Sequence, residues 1–307
     1  MKKSIGLHST DGYNSLHVVI WEPEKKYKAI VQISHGMIEY IERYDEFANF
    51  LNDNGIIVIG NDHLGHGQTA IDDEDLGYFG KGMSETVVND LHQVTEYAKT
   101  YYGQDLPYFL FGHSMGSFMA RRYLMTFGDE LTGAILSGTG HKSAPVLAMG
   151  NLVAGALKII IGGRHRSKLL KKAAFGCYNK RIPNARTEND WISKNQENVE
   201  KYNRDKFCNF SFTVNGYQTL FGVLSFIRKK KNYSKIPKDL PIFFIAGTED
   251  PVGDYGEGVK KVFETYREAG IKDVSIKLYA EDRHELVNED DRDVVFKDVL
   301  KWIEAHM

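Results

Sequence analysis

The stretch that most constrains this chain is Phe111-Gly112-His113-Ser114-Met115-Gly116-Ser117, set between an apolar run at 107–111 and a helix-like run at 117–127. Gly-x-Ser-x-Gly between a strand and a helix is a nucleophile elbow, a sharp strained turn that lifts the serine hydroxyl above a sheet edge. Small residues two before and two after the serine let strand and helix pass without a Cβ clash. The turn also brings the next backbone N–H, that of Met115, to the positive end of a helix. There it can bind the oxyanion that forms when Ser114 attacks a carbonyl.

The rest of the chain supplies the sheet such a turn needs. Apolar runs at 29–34, 56–59, 133–137, 241–246 and 274–279 alternate with helix-like stretches at 43–54, 84–102, 256–269 and 290–306. Ser84 is the expected N-cap of the second of these helices. Residues 5–10 and 13–22 alternate polar and apolar about Asp11-Gly12 and predict an antiparallel hairpin. Strands alternating with helices predict an α/β fold, a mostly parallel sheet covered on both faces. The alternation stops near Gly140 and resumes near Pro241, so 1–139 and 237–307 are expected to form the core and 140–236 an inserted helical cap. A length of 307 residues suits one large domain with such an insertion.

Composition bounds the setting. No stretch reads as long and apolar enough to span a membrane, and the N-terminus lacks the apolar region of a signal peptide. Two cysteines, Cys177 and Cys208, argue against a disulfide framework and for a reducing, cytoplasmic setting. Neither sits in a histidine-paired context, so both are read as structural. Gly162-Gly163 precedes no Gly-Lys-Ser signature, and nothing calls for a nucleotide or nucleic-acid partner.

A serine hydroxyl is a weak nucleophile and needs a base, which in turn needs an orienting carboxylate. In α/β sheets these come from loops at the carboxyl ends of strands, in the chain order serine, acid, histidine. His284 follows the last apolar run, and beyond the insertion only His306, at the fraying chain end, competes with it. Asp250 lies just past another strand in Glu249-Asp250-Pro251, with Glu249 as its rival. The second oxyanion donor should follow an early strand, and His35-Gly36-Met37 offers the Met37 N–H there. Asp62, His63 and His66 have no zinc-like spacing and no evident third ligand, so a hydrogen-bonded loop is expected rather than a metal.

Taken together, His35-Gly36-Met37-Ile38-Glu39, Arg43-Tyr44, Asp62-His63-Leu64-Gly65-His66-Gly67, Gly112-His113-Ser114-Met115-Gly116, Gly247-Thr248-Glu249-Asp250-Pro251-Val252 and Arg283-His284-Glu285 resemble the monoacylglycerol lipase and lysophospholipase branch of the α/β-hydrolases, the serine aminopeptidase-like hydrolases. The resemblance covers most of the chain outside the insertion. It implies Ser114 as nucleophile, His284 as base, Asp250 rather than Glu249 as acid, and Met37 and Met115 as oxyanion donors. It also implies that Glu39 and Arg43 line the alcohol-binding end, with His113 as a further substrate-binding residue, and that no cofactor is used. Mammalian members carry a second histidine shortly after the base, whereas 285–289 holds none. The expected substrate is a monoacyl lipid, a lysophospholipid or a monoacylglycerol, with small esters or peptides and amides as the alternatives for the same triad. A non-catalytic lipid-binding protein is disfavoured because every catalytic element is present in order.

Charge singles out the insertion. Residues 140–236 hold 19 Lys and Arg against 5 Asp and Glu, a balance of +14, which leaves −16 for the rest of a chain of net charge −2. A basic surface could meet anionic lipid peripherally at the inner membrane face, or the two charges could attract across the seam between cap and core. The apolar run 144–161, flanked by Arg164, Arg166, Lys168, Lys171 and Lys172, fits a membrane-facing lid. It fits better a helix packed over the sheet, with Leu147, Leu152, Val153 and Leu157 lining an acyl tunnel.

Overall fold

The structure, a computed structural model, describes residues 1–24 and 26–307. In chain order its main elements are β1 (Lys2–His8), β2 (Ser15–Trp21), β3 (Ala29–Ser34), α1 (Asp45–Asp53), β4 (Ile56–Asn61), α2 (Met83–Tyr102), β5 (Tyr108–His113), α3 (Met115–Phe127) and β6 (Gly133–Ser137). Next come α4 (Ala144–Ile161), α5 (Lys168–Phe175), α6 (Gln196–Arg204), α7 (Val214–Ile227) and α8 (Lys230–Tyr233). The chain then closes with β7 (Ile242–Gly247), α9 (Glu257–Glu268), β8 (Val274–Tyr279) and α10 (Arg292–Ala305).

The strands form one sheet in the order β1-β2-β4-β3-β5-β6-β7-β8. The first two pairings are antiparallel and the remaining five are parallel. The continuous apolar runs follow from burial on both faces, since successive side chains leave a strand on opposite sides. Along β5, Tyr108 and Leu110 enter one core while Phe109 and Phe111 enter the other. Along β7, Phe244 and Ala246 join the first and Phe243 and Ile245 the second. Phe47 and Leu51 of α1 and Phe296, Val299 and Ile303 of α10 cover the second face, while Leu91 of α2, Met119 and Tyr123 of α3 and Val262 of α9 cover the first.

Three local expectations are corrected. The hairpin strands stop at His8 and restart at Ser15, so six residues join them, held by Ser9 N to Asn14 O at 2.8 Å and by Asp11 Oδ1 accepting from the N–H groups of Tyr13 and Asn14. Helix α2 starts at Met83 with Gly82 in the N-cap position, so Ser84 lies inside the first turn and caps nothing. The third concerns α4. Its 18 residues carry one charge, Lys158, which places it at the lower end of what can cross a bilayer, contrary to the sequence reading. Nor does it lie over the sheet. It packs along α7, where Gly150 meets the Phe221 ring, and only Leu147 and Ala154 are buried. Leu152 is 68% exposed and Ile159 88%, so Leu152 faces outward rather than into a tunnel.

All the structure between β6 and β7 is helical or irregular. Its basic residues divide. Arg164 pairs with Asp75 at 2.8 Å and lies over the Tyr78 ring, and Arg166 donates to the carbonyls of Asp73, Glu74 and Leu76. These two therefore belong to the seam with the acidic loop after β4. Lys171 pairs with Glu188 within the segment, while Lys158, Lys168 and Lys172 are exposed and form no ion pair among the described residues.

Candidate active site

Two glycines build the turn at Ser114. A Cβ at Gly112 would lie 2.8 Å from that of Ala120 and 2.7 Å from the Gly116 carbonyl, and one at Gly116 would overlap the carbonyls of Ser34 and His35. Strand β5 and helix α3 thus meet at backbone contact. Ser114 takes up the strain with φ 51°, held by its N–H donating to Ser137 O at 2.9 Å.

Ser114 Oγ lies 2.7 Å from His284 Nε2, and His284 Nδ1 lies 2.9 Å from Asp250 Oδ2. A carboxylate only accepts, so Nδ1 carries the proton and Nε2 faces the serine hydroxyl as acceptor. Asp250 is fully buried at the end of β7, with its other oxygen accepting from Val252 N at 2.8 Å. Glu249, half-buried, is anchored by its own N–H to Asp282 O and makes no bond to the imidazole. Burial opposes the charged form of His284, but the charge and hydrogen bond of Asp250 outweigh it and the net direction is upward. Gly138, at φ 58°, leaves the room the ring needs, since a Cβ there would lie 3.0 Å from His284 Cε1.

Met115 opens α3, so its N–H belongs to the first turn, whose donors have no helical acceptor. Met37 sits in the loop after β3, next to Ile38, which holds a strained φ of 60°. A Cβ on Gly36 would stand 3.1 Å from that of Ser114, so this loop borders the serine directly. His113 is buried with its ring 4.7 Å from that of His284, and burial keeps it neutral.

Glu39 and Arg43 form a buried network. Arg43 holds Glu285 through two bonds, 2.6 and 2.7 Å, reaches Glu39 at 3.1 Å and Asn198 of α6 at 3.1 Å, and lies over the Tyr202 ring. Glu39 also accepts from Tyr44 and from the Gly36 N–H in the loop after β3. One guanidinium serves two carboxylates unequally. Burial raises both, but the bidentate bond to Arg43 pulls Glu285 below the usual carboxylate range, while Glu39, with a single bond to Arg43 and a like charge nearby, is pushed above it. The partnership of Glu285 with Arg43 spans 242 residues and leaves no trace in sequence spacing.

His63 and His66 are buried in a hydrogen-bonded loop. His63 Nε2 meets Ser34 Oγ at 3.2 Å, His66 Nδ1 meets Leu64 O at 3.0 Å, and the described residues hold no group of three or more His, Cys, Asp or Glu placed to bind a metal ion.

An eight-stranded, mostly parallel sheet bearing a serine elbow, with a histidine and an aspartate delivered from later strand ends, defines an α/β-hydrolase. A carboxyl esterase from Bacillus coagulans, solved in complex with glycerol, superposes with a TM-score of 0.93 at 33% identity, covering 99% of this chain and 98% of that one. A monoglyceride lipase homolog of Monkeypox virus is 28% identical over 93% of this chain and 91% of its own length. The monoacylglycerol lipase of Mycolicibacterium smegmatis is 25% identical over 98% and 97%. The family described as serine aminopeptidase, S33, matches residues 25–291, and the chain belongs to it.

Proposed function

We propose that this chain, an ester-hydrolysing enzyme, cleaves a monoacyl lipid, a lysophospholipid or a monoacylglycerol, through Ser114, His284 and Asp250. Ser114 attacks the ester carbonyl while His284 Nε2 takes its proton. The Met37 and Met115 N–H groups stabilise the oxyanion, and His284 returns the proton to the leaving alcohol. Water then repeats the cycle on the acyl-enzyme. Asp250 holds the imidazole in the tautomer that accepts from serine. The observation that carries this reading is the unbroken hydrogen-bonded line from Ser114 Oγ through His284 to Asp250.

Residues 140–236 serve in this reading as the cap over the acyl site. Glu39, Arg43 and His113 shape the alcohol end, the first two by fixing the walls through their ion pairs. The lipid class draws support from the monoglyceride lipase relatives and from the exposed apolar face of α4, which suits a peripheral hold on an anionic bilayer with Lys158, Lys168 and Lys172 beside it. The carboxyl esterase likeness favours a second reading, hydrolysis of small esters. Rates on soluble esters of increasing acyl length, below their critical micelle concentrations, separate the two. Each buried methylene contributes at most about 0.8 kcal/mol, so two raise kcat/KM by up to roughly tenfold until the site is full. A rise followed by a plateau supports the lipid reading, and a steady fall from acetate upward replaces it with the small-ester reading.

A further inference from the structure

The loop bearing His284 is clamped to the cap. Between β8 and α10 the chain makes only one short turn, Leu286–Asn288, so regular structure does little to fix the histidine. Hydrogen bonds to residues 190–195 supply the rigidity. Arg283 Nη1 donates to the carbonyls of Asp190 at 2.6 Å and Ser193 at 2.9 Å, and the Glu285 N–H donates to Ile192 O at 2.7 Å. Lys194 Nζ bonds Asp282. At the centre lies Glu289, fully buried. Its carboxylate accepts from the Arg283 N–H at 2.9 Å on one side, and from Ser193 Oγ at 2.7 Å and the Lys194 N–H at 3.0 Å on the other. A buried carboxylate that collects donors from two segments about 90 residues apart fixes their separation.

The segment held this way carries Trp191, whose ring lies 5.0 Å from the His284 ring at 42°. Tyr178 packs edge-on against Trp191, and Gly138 and His113 also border the imidazole.

We propose that Glu289 is a positioning residue for the reaction: by tying residues 193–194 of the cap to Arg283, it presses Trp191 against the imidazole and sets the angle at which His284 Nε2 meets Ser114. This rests on the triad reading above. It also distinguishes parts of the cap, because the part around 190–195 belongs to the catalytic centre, while α4 packs chiefly along α7.

A displacement of about 1 Å in a catalytic group costs up to roughly 100-fold in rate. Glu289→Gln keeps the shape and loses the charge that holds three donors. With a soluble short-chain ester, and active sites counted by fluorophosphonate, kcat per site should fall about 10–100-fold with KM within about twofold. The proton NMR signal of the His284 Nδ1–H should shift or broaden. Ser193→Ala, which removes one bond and is gentler on folding, should move both readouts the same way by less. A merely structural role would lower the melting temperature and leave kcat per titrated site and the Nδ1–H signal unchanged. That result in both variants overturns the proposal, and if Glu289→Gln does not fold, the same result in Ser193→Ala alone overturns it. A wild-type protein that neither labels at Ser114 nor turns over would instead refute the triad itself, and this proposal with it.

Discussion

Replacing His66 with phenylalanine should make the protein more resistant to acid. His66 is fully buried among Phe79, Phe210 and Phe212, with ring centres 5.2–5.5 Å away. Its Nδ1–H is bonded to Leu64 O, while Nε2 has no hydrogen-bond partner among the described residues. The titratable groups facing it are His35 and His63, both also buried. Burial therefore pushes its pKa down to about 4. Because the folded-state value lies below that of the unfolded chain, near 6.5, the unfolded chain binds the proton first as pH falls. The stability held by neutral His66 is complete above about pH 7 and drains away between roughly pH 6.5 and 4, at about 1.4 kcal/mol per unit. By pH 5 the loss is about 2 kcal/mol. Phenylalanine has no proton to take up. It forfeits the Leu64 bond, about 1 kcal/mol at every pH. Guanidinium unfolding of both proteins at pH 8 and pH 5 should show the stability difference moving by about 2 kcal/mol in favour of His66→Phe at the lower pH. Parallel pH dependences would mean that His66 is not held neutral, and the reasoning would be refuted.

Three further outcomes are expected. Asp250→Asn should lower kcat by on the order of 10²–10⁴ while Glu249→Gln changes it little, since only Asp250 reaches the imidazole; steady-state kinetics with a soluble ester giving the reverse ranking would exclude the assignment. Gly116→Ala should destabilise the fold by at least about 1–3 kcal/mol, because its methyl meets the Ser34 and His35 carbonyls, and a melting temperature equal to wild type would contradict the close packing at the elbow. The wild-type protein should sediment with vesicles containing phosphatidylglycerol at low salt, and Leu152→Glu with Ile160→Glu should abolish this without slowing hydrolysis of a soluble ester. Wild type left in the supernatant would count against any membrane role for α4.

What could be read from the residues was what depends on neighbours in the chain. The parallel strands were visible because burial on both faces leaves continuous apolar runs such as Ala29–Ser34. The elbow was visible because its serine and both glycines fall within five residues, and Gly112 answers a clash with Gly116 and Ala120 nearby, although Gly116 makes room for the distant Ser34 and His35 carbonyls. Chain order brought Asp250 and His284 forward, yet the residues alone left Glu249 level with Asp250, and the turn through Val252 that aims the aspartate had to be seen. The orientation of α4 was hidden for a related reason. A helix apolar on nearly every side has no periodic face to show which one is buried. The clamp through Glu289 and the pairing of Glu285 with Arg43 join residues about 90 to 240 positions apart, where no spacing rule applies. Ser84 misled because capping preference acts only if the helix begins just after the residue, and α2 begins one residue before it.

The outward side of α4 also bears on how the protein behaves in a tube. Val146, Met149, Leu152, Ile159 and Ile160 all face water, with Lys158 the one charge among them. An uncovered patch of this kind finds the nearest apolar surface, and in a concentrated lipid-free sample that is the same patch on another molecule. The apparent particle size will then climb with concentration and collapse on adding a mild detergent. Quaternary structure measured without amphiphile will report the choice of buffer rather than a property encoded in the chain.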